Sequence, residues 1–139
     1  MPTDPTFRHT LCVPESAIDR NGHVNNVAIV QWMQDVAVLH SESVGCTAAT
    51  VAQGCTWVVR SHHVEYLRPA FDGDQVEIVT WIADFRRVRS RRRYEFYRRP
   101  GGELIARGET DWVYVNVATG RPGSVPDEVQ RCFTLPADP

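Results

Sequence analysis

One long helical pattern of apolar residues is the feature that most restricts the fold of this chain. From Val27 to about Val44, apolar side chains recur at intervals of three and four residues, which places them on one face of an α-helix. Further apolar residues, such as Val30 and Val38, widen this stripe until little of the helix surface is polar. A helix that is apolar on most sides is buried, so we expect the rest of the chain to pack around it.

Segments with β character surround this helix. They are rich in β-branched and aromatic residues and are separated by turn sequences. The expected strands are residues 7–13, 56–69, 74–86, 89–99 and 103–117. The later connections are short, which favours antiparallel hairpins between neighbours. We expect residues 46–55 to form a linker, and Pro126 to begin a final short helix.

A strand, a long buried helix and four antiparallel strands predict an α+β fold in which one sheet wraps around one helix. The 139 residues fit a single domain over residues 1–139. Apolar runs at 57–59 and 113–115 indicate strands that are apolar on both faces. One helix covers one face of a sheet, so we expect a second copy of the chain to cover the other, as a homodimer or homotetramer.

Composition and charge narrow the class of partner. Hydrophobic residues make up 42% and charged residues 23%, with a net charge of −2, which argues against a nucleic-acid partner. We find no signal-peptide pattern and no apolar run of about 20 residues, so a membrane partner is not expected. The four cysteines lack the spacing of a metal site. The expected compartment is therefore cytoplasmic, with free thiols.

All 15 basic residues are arginines, and eight of them lie between Arg86 and Arg99. Such a run is either a solvated strand face or a surface that binds an anion. Side chains alternate between the two faces of a strand, which separates Arg89, Arg91 and Arg93 from Arg92. Only part of the run can therefore face one ligand.

The polar stretch DRNGHVNN, residues 19–26, directly precedes the helix. Asn21-Gly22 is a typical turn dipeptide, and Asn25 or Asn26 is a good N-cap. On these grounds the stretch is a turn followed by a helix cap.

The same stretch also has the groups needed for acyl chemistry. The unpaired N–H groups at a helix N-terminus polarise a carbonyl oxygen and stabilise an oxyanion. Asp19 is placed to attack an acyl carbon or to take a proton from water, and His23 to hydrogen-bond the water or the substrate. Together these groups suffice to hydrolyse an activated ester.

The order of strand, D-x-N-G-H-V-N-N and long helix, followed by VVRSHHVEYLRPAFDGDQVEIVTW, resembles the hotdog-fold acyl thioesterases. The resemblance is to the 4-hydroxybenzoyl-CoA thioesterase-like branch, and HVNN is also similar to acyl-carrier-protein thioesterases. It covers residues 7 to about 133. It implies a hotdog fold that hydrolyses an acyl-CoA or acyl-carrier-protein thioester without a metal or redox cofactor. It also implies a site at a subunit junction.

The resemblance implies a role for each matching position. Asp19 would be the nucleophile or the general base, and the N–H of Asn26 would polarise the thioester carbonyl. Asn21 and His23 would position water and substrate. For a thioesterase, the arginine run would bind the phosphates of coenzyme A or an acidic carrier protein. The expected substrate-binding residues are Gly22, Val27, Arg89, Arg91 and Arg93.

The chain also departs from parts of the family pattern. Pro69 and Ala70 follow the E-Y-x-R motif where carrier-protein enzymes have acidic and thiol residues, so a Cys/His mechanism is not expected. Asp35 and Glu42 lie on the helix but do not match the branch that has a carboxylate there. Two alternatives stay open on this fold: a non-catalytic module that binds acyl-CoA or another small ligand, and a hydratase or dehydratase with His as its base.

Overall fold

The computed structural model describes residues 4–136. Its elements are β1 (Phe7–Cys12), α1 (Asn26–Ser43), α2 (Cys46–Ala52), β2 (Cys55–Tyr66), β3 (Gln75–Arg86), β4 (Arg89–Arg99), β5 (Glu103–Asn116) and α3 (Asp127–Gln130). The predicted long helix, the strands and the final short helix are confirmed.

The predicted linker at residues 46–55 was wrong, because residues 46–52 form α2. Gly45 lies between α1 and α2 with a φ of 83°, a left-handed conformation that glycine adopts at little cost. Cys46 and Thr50 are buried on one side of α2, a spacing of one helical turn. Two buried positions are too weak a periodic signal to identify a helix of this length from sequence.

The strands form one antiparallel sheet in the order β1-β3-β4-β5-β2. The expected hairpins β3–β4 and β4–β5 are confirmed, but a hairpin between β2 and β3 was wrong. β2 instead pairs with β5, with Tyr66 opposite Ala106, so β1 and β2 occupy the two edges. The connection from β2 to β3 crosses the sheet near the start of α1, where the Val24 N–H donates to the Ala70 carbonyl at 2.8 Å.

Helix α1 packs against one face of this sheet. Its buried residues are Ile29, Met33, Val36, Ala37 and His40. Met33 is fully buried and lies over Gly108 of β5, where an added Cβ would be 2.8 Å from the Met33 Cε. The missing side chain at Gly108 therefore lets the helix lie close to the sheet.

The opposite side of α1 is exposed in the single chain. Val27 is 73% exposed, and Val38 and Leu39 are also exposed. The expectation of a helix buried on most sides was therefore wrong for one chain. The sheet covers a single face of α1, and these three side chains lie outside the contact.

The face of the sheet that is turned away from α1, here called the outer face, has many ion pairs. They include Arg91–Asp84 at 2.6 Å, Arg93–Glu109 at 3.2 Å and Arg107–Glu65 at 2.8 Å. Exposed apolar side chains are found on the edge strand β2, at Val58 and Val59. Charged pairs thus cover much of the face that the sequence predicted to be apolar.

We predict that Met33→Ala lowers the free energy of unfolding by about 2–5 kcal/mol, because it opens a cavity between α1 and β5. Urea denaturation followed by circular dichroism measures the change. Val38→Ala removes a partly exposed side chain from the same helix and should cost about 0.5 kcal/mol or less. Equal losses in the two variants would contradict this account of the core.

Candidate active site at the start of the long helix

The residues before α1 form a tight, hydrogen-bonded loop. Ile18 and Val24 form an isolated antiparallel bridge, and the Asp19 N–H donates to the His23 carbonyl at 2.9 Å. Gly22 turns the chain with a φ of 78°, which favours glycine because it has no Cβ. The turn predicted from Asn21-Gly22 is therefore confirmed.

The Asp19 carboxylate is held within this turn. Its Oδ1 accepts hydrogen bonds from the backbone N–H groups of Asn21 at 2.8 Å and His23 at 3.4 Å. An aspartate that accepts from the backbone two residues later forms a common turn motif. Within residues 4–136 no group donates to Oδ2, so one carboxylate oxygen is left for another partner.

The start of α1 leaves one amide unused. Asn25 is the N-cap, and its Oδ1 accepts from the Val27 N–H at 2.8 Å. The Ala28 N–H donates to the Asn25 carbonyl at 3.0 Å. Among the described residues, the Asn26 N–H has no acceptor. This amide is therefore the one that a ligand can use at the positive end of the helix dipole.

A cavity of about 320 Å³ lies beside this amide. All four predicted catalytic residues line it: Asp19, Asn21, His23 and Asn26. Its apolar wall consists of Val24, Ile29, Leu67, Pro69, Ala70, Ile105 and Ala106. The structure therefore brings a carboxylate, an imidazole and a free helix amide to one apolar-walled pocket.

Two further residues of the cavity were not assigned a role from the sequence. The Tyr66 hydroxyl donates to the Asn26 carbonyl at 3.1 Å, which connects the end of β2 to the start of α1. Arg68 also lines the cavity, and no carboxylate within residues 4–136 forms an ion pair with it. Tyr66 and Arg68 both lie in the stretch that carries the family resemblance, far along the chain from residues 19–26.

The residues predicted to bind substrate lie elsewhere. Gly22 forms the turn, Val27 has its amide capped by Asn25, and neither lines the cavity. The arginines lie on the outer face, and each forms an ion pair. The pairs are Arg89–Asp111, Arg91–Asp84 and Arg93–Glu109.

These ion pairs shift the pKa values of the residues that form them. The hydrogen bond to Asp111 raises the pKa of Arg89, and the hydrogen bond from Arg91 lowers the pKa of Asp84. A phosphate would compete with these carboxylates for the guanidinium groups. Phosphate binding by this cluster stays a prediction.

Three other features bear on the chemistry. Glu65 forms an ion pair with Arg107, whose Nε donates to the Glu65 Oε1 at 2.8 Å. Within residues 4–136 no three His, Cys, Asp or Glu side chains are grouped as metal ligands. No helix in that part of the chain is long and apolar enough to cross a membrane.

Comparison with known families supports the resemblance. The profile of the thioesterase-like superfamily matches residues 13–133. The chain belongs to this superfamily. A palmitoyl-acyl carrier protein thioesterase from Cuphea hookeriana is 32% identical over 132 residues, which is 90% of this chain and 32% of the relative. This superfamily member thus spans about a third of the length of the curated relatives it matches.

Solved structures of thioesterases superpose on nearly the whole domain. The 12:0-ACP thioesterase from Umbellularia californica has a TM-score of 0.83 and 26% identity, covering 95% of this chain and 55% of its own. A mutant of 4-hydroxybenzoyl-CoA thioesterase complexed with 4-hydroxybenzoyl-CoA has a TM-score of 0.85 and 18% identity. The match covers 94% of this chain and 100% of that thioesterase chain. The predicted α+β hotdog fold is thereby confirmed.

We predict that Asn25→Ala lowers the free energy of unfolding by about 1 kcal/mol, because the Val27 amide loses its cap. Chemical denaturation measures the loss. Asn25→Asp keeps an oxygen acceptor at this position and should retain most of the stability. A loss in the aspartate variant as large as that in the alanine variant would argue against the cap.

Proposed function

We propose that this protein is a thioesterase that hydrolyses an acyl-CoA or acyl-carrier-protein thioester to a free acid and a thiol. One observation carries the proposal: Asp19 and Asn26 line the same cavity, and the Asn26 N–H has no acceptor within residues 4–136. Membership of the thioesterase-like superfamily supports it. The names of the relatives given above describe thioesterases of acyl-carrier-protein and coenzyme A thioesters.

The proposed reaction begins with the thioester carbonyl at the start of α1. The Asn26 N–H donates to the carbonyl oxygen, and the helix dipole adds positive potential there. Asp19 then either attacks the carbonyl carbon or removes a proton from an attacking water. The oxygen becomes an oxyanion held by the same amide, and the carbon–sulfur bond breaks to release a thiolate. In the general-base route the thiolate takes the proton that Asp19 removed from water. In the nucleophilic route a mixed anhydride forms on Asp19, and water hydrolyses it to the free acid and the Asp19 carboxylate while its proton goes to the thiolate.

His23 and Asn21 have positioning roles in this proposal. Both side chains are exposed at the cavity, where water and substrate enter. The His23 ring contacts Phe71 edge to face, with ring centroids 5.4 Å apart, which restricts its orientation. In this proposal the imidazole hydrogen-bonds the attacking water or the substrate.

We further propose that the functional unit contains at least a homodimer joined through β2. This strand is an edge of the sheet, it is 12 residues long, and Val58 and Val59 are exposed on it. A long unpaired edge with apolar side chains is suited to pairing with another strand. A two-fold axis at the middle of β2 would place Cys55 of one copy near Tyr66 of the other.

The central prediction concerns Asp19. Asp19→Asn keeps an oxygen that accepts the loop amides but removes the negative charge, so turnover should fall about 100-fold or more. Release of thiol from a panel of acyl-CoA and acyl-carrier-protein substrates measures it. His23→Ala should lower turnover less, because His23 positions the reacting groups.

The control for this experiment is Asp72→Asn, since Asp72 is an exposed acid outside the cavity. It should keep full turnover. Full turnover in Asp19→Asn would refute the mechanism. If the wild-type protein released no thiol from any substrate, the non-catalytic binding module would become the better interpretation.

A second prediction separates the candidate phosphate-binding residues. Arg68 lines the cavity without an ion pair among the described residues, whereas Arg91 is paired with Asp84. We expect Arg68→Ala to raise KM for acyl-CoA more than Arg91→Ala does, with the larger effect at low salt, where charges are least screened. The opposite order would restore the arginines of the outer face as the phosphate site.

A further inference from the structure

A second cavity, of about 230 Å³, lies between α1, α2 and the other end of the sheet. It is larger than an apolar cavity of about 150 Å³ that is able to admit benzene. Much of its wall is apolar, including Ala37, Val38, Val51, Ile82 and Phe85. Its volume and its apolar lining are suited to binding part of an acyl group.

One side chain in this wall is a buried cation. Arg92 is 2% exposed, and its Nη1 donates to the Nδ1 of His40 at 2.9 Å and the Oγ1 of Thr80 at 3.1 Å. Its guanidinium group also lies over the ring of Phe133, 5.7 Å from the centroid. No carboxylate within residues 4–136 forms a salt bridge with it, and both of the hydrogen bonds to His40 and Thr80 come from Nη1.

The charge on Arg92 persists at neutral pH. Burial lowers the pKa of Arg92 to about 10, which still leaves the group protonated at pH 7. Burial and the nearby Arg92 charge lower the pKa of His40 to about 4, so His40 is neutral and able to accept from Arg92. A buried cation without a counter-ion is costly, which makes the site favourable for an anion.

Two more polar groups in the same wall lack partners. Ser90 Oγ and Trp112 Nε1 are buried, and neither has a hydrogen-bond partner within the described residues. The indole N–H is a donor alone, and a guanidinium group has donors and no acceptor. The Arg92 guanidinium and the Trp112 indole N–H are therefore donors in one wall, and a carboxylate in the cavity would accept from them.

The position of this cavity connects it to the proposed reaction. Cys55 and Trp57 at the start of β2 line it, whereas Tyr66 at the end of β2 lines the cavity of Asp19. At about 3.3 Å per residue the two ends of the strand are roughly 36 Å apart within one chain. Two-fold pairing through β2 would bring the Arg92 cavity of one copy next to the Asp19 cavity of the other.

We infer that this second cavity receives the far end of the acyl group and that Arg92 recognises a carboxylate there. The preferred substrates are then thioesters of dicarboxylic acids, bound by Asp19 of one protomer and Arg92 of its partner. This inference rests on the proposed thioesterase function and names its substrate class.

Binding tests the inference without requiring turnover. We would titrate Asp19→Asn protein with adipyl-CoA and hexanoyl-CoA, which have six-carbon acyl chains and differ in the terminal carboxylate. The same comparison would be made between carboxylated and methyl-ended acyl-CoAs with acyl chains of 4, 8 and 10 carbons. We expect at least one carboxylated ligand to bind about tenfold to a hundredfold more tightly than its methyl-ended match. Adding Arg92→Met should remove that preference. Equal affinities at every length, or a preference that survives Arg92→Met, would overturn the inference.

Two further variants control for charge and for folding. Arg86→Met removes an exposed arginine of β3, so the preference should persist. Trp112→Phe removes the unpartnered indole N–H but keeps the Arg92 charge, so it should weaken binding of the carboxylated ligand alone. This second variant keeps the inference testable if Arg92→Met fails to fold. A preference lost in Arg86→Met, or unchanged in Trp112→Phe, would contradict the role given to this cavity.

Mixed dimers test which protomer contributes Arg92. We would co-express Asp19→Asn and Arg92→Met chains with different tags and isolate the heterodimer. One of its two sites would combine an intact Asp19 with an intact Arg92, so it should have about half the wild-type turnover of the preferred dicarboxylyl-CoA. Activity equal to half that of the Arg92→Met homodimer would place both residues in one chain and refute the shared site.

Failure of this inference is distinguishable from failure of the proposed function. If the wild-type protein cleaves the carboxylated and methyl-ended acyl-CoAs equally well at every chain length, thioesterase activity stands and the carboxylate preference is wrong. If it cleaves none of them but binds a carboxylated acyl-CoA more tightly in an Arg92-dependent way, the cavity assignment stands and the protein is a binding module.

Discussion

The close contact between Met33 and Gly108 sets how the long helix lies on the sheet. Because β5 has no side chain at this position, α1 approaches the strand backbone more closely than a Cβ would allow. Both cavities follow from this placement. The first turn of α1 meets the end of β2 and the start of β5. Its later turns cover β4 on the face of the sheet opposite the outer face. The two sites are thus parts of one packing arrangement.

At the first of these sites, structural roles and the proposed chemical roles fall on the same residues. Asn25 caps one amide of α1, and the turn from Asp19 to His23 holds the carboxylate through backbone hydrogen bonds. Within the part of the chain that the structure describes, the Asn26 N–H is left without an acceptor. A turn and a helix cap therefore bring a carboxylate and the start of a helix to one cavity.

The arginine run on β4 shows how strand geometry gives neighbouring residues different environments. Arg91 and Arg93 point to the outer face and pair with carboxylates in solvent, where such pairs add little to stability. Arg92 points inward, loses its water and meets a histidine and a threonine. The alternation predicted from the sequence separated Arg92 from its neighbours correctly. Its burial in a cavity became evident only once the helix was in place.

Local and periodic properties of the sequence by themselves determined the long helix, the strands, the Asn21-Gly22 turn and the Asn cap. These features depend on residues a few positions apart, and their signals are therefore readable along the chain. The tertiary structure decided the strand order, the edge position of β2, the meeting of Tyr66 with Asn26 and the burial of Arg92 away from every carboxylate in residues 4–136. Each of these depends on contacts between residues that are distant in sequence, which local patterns do not encode.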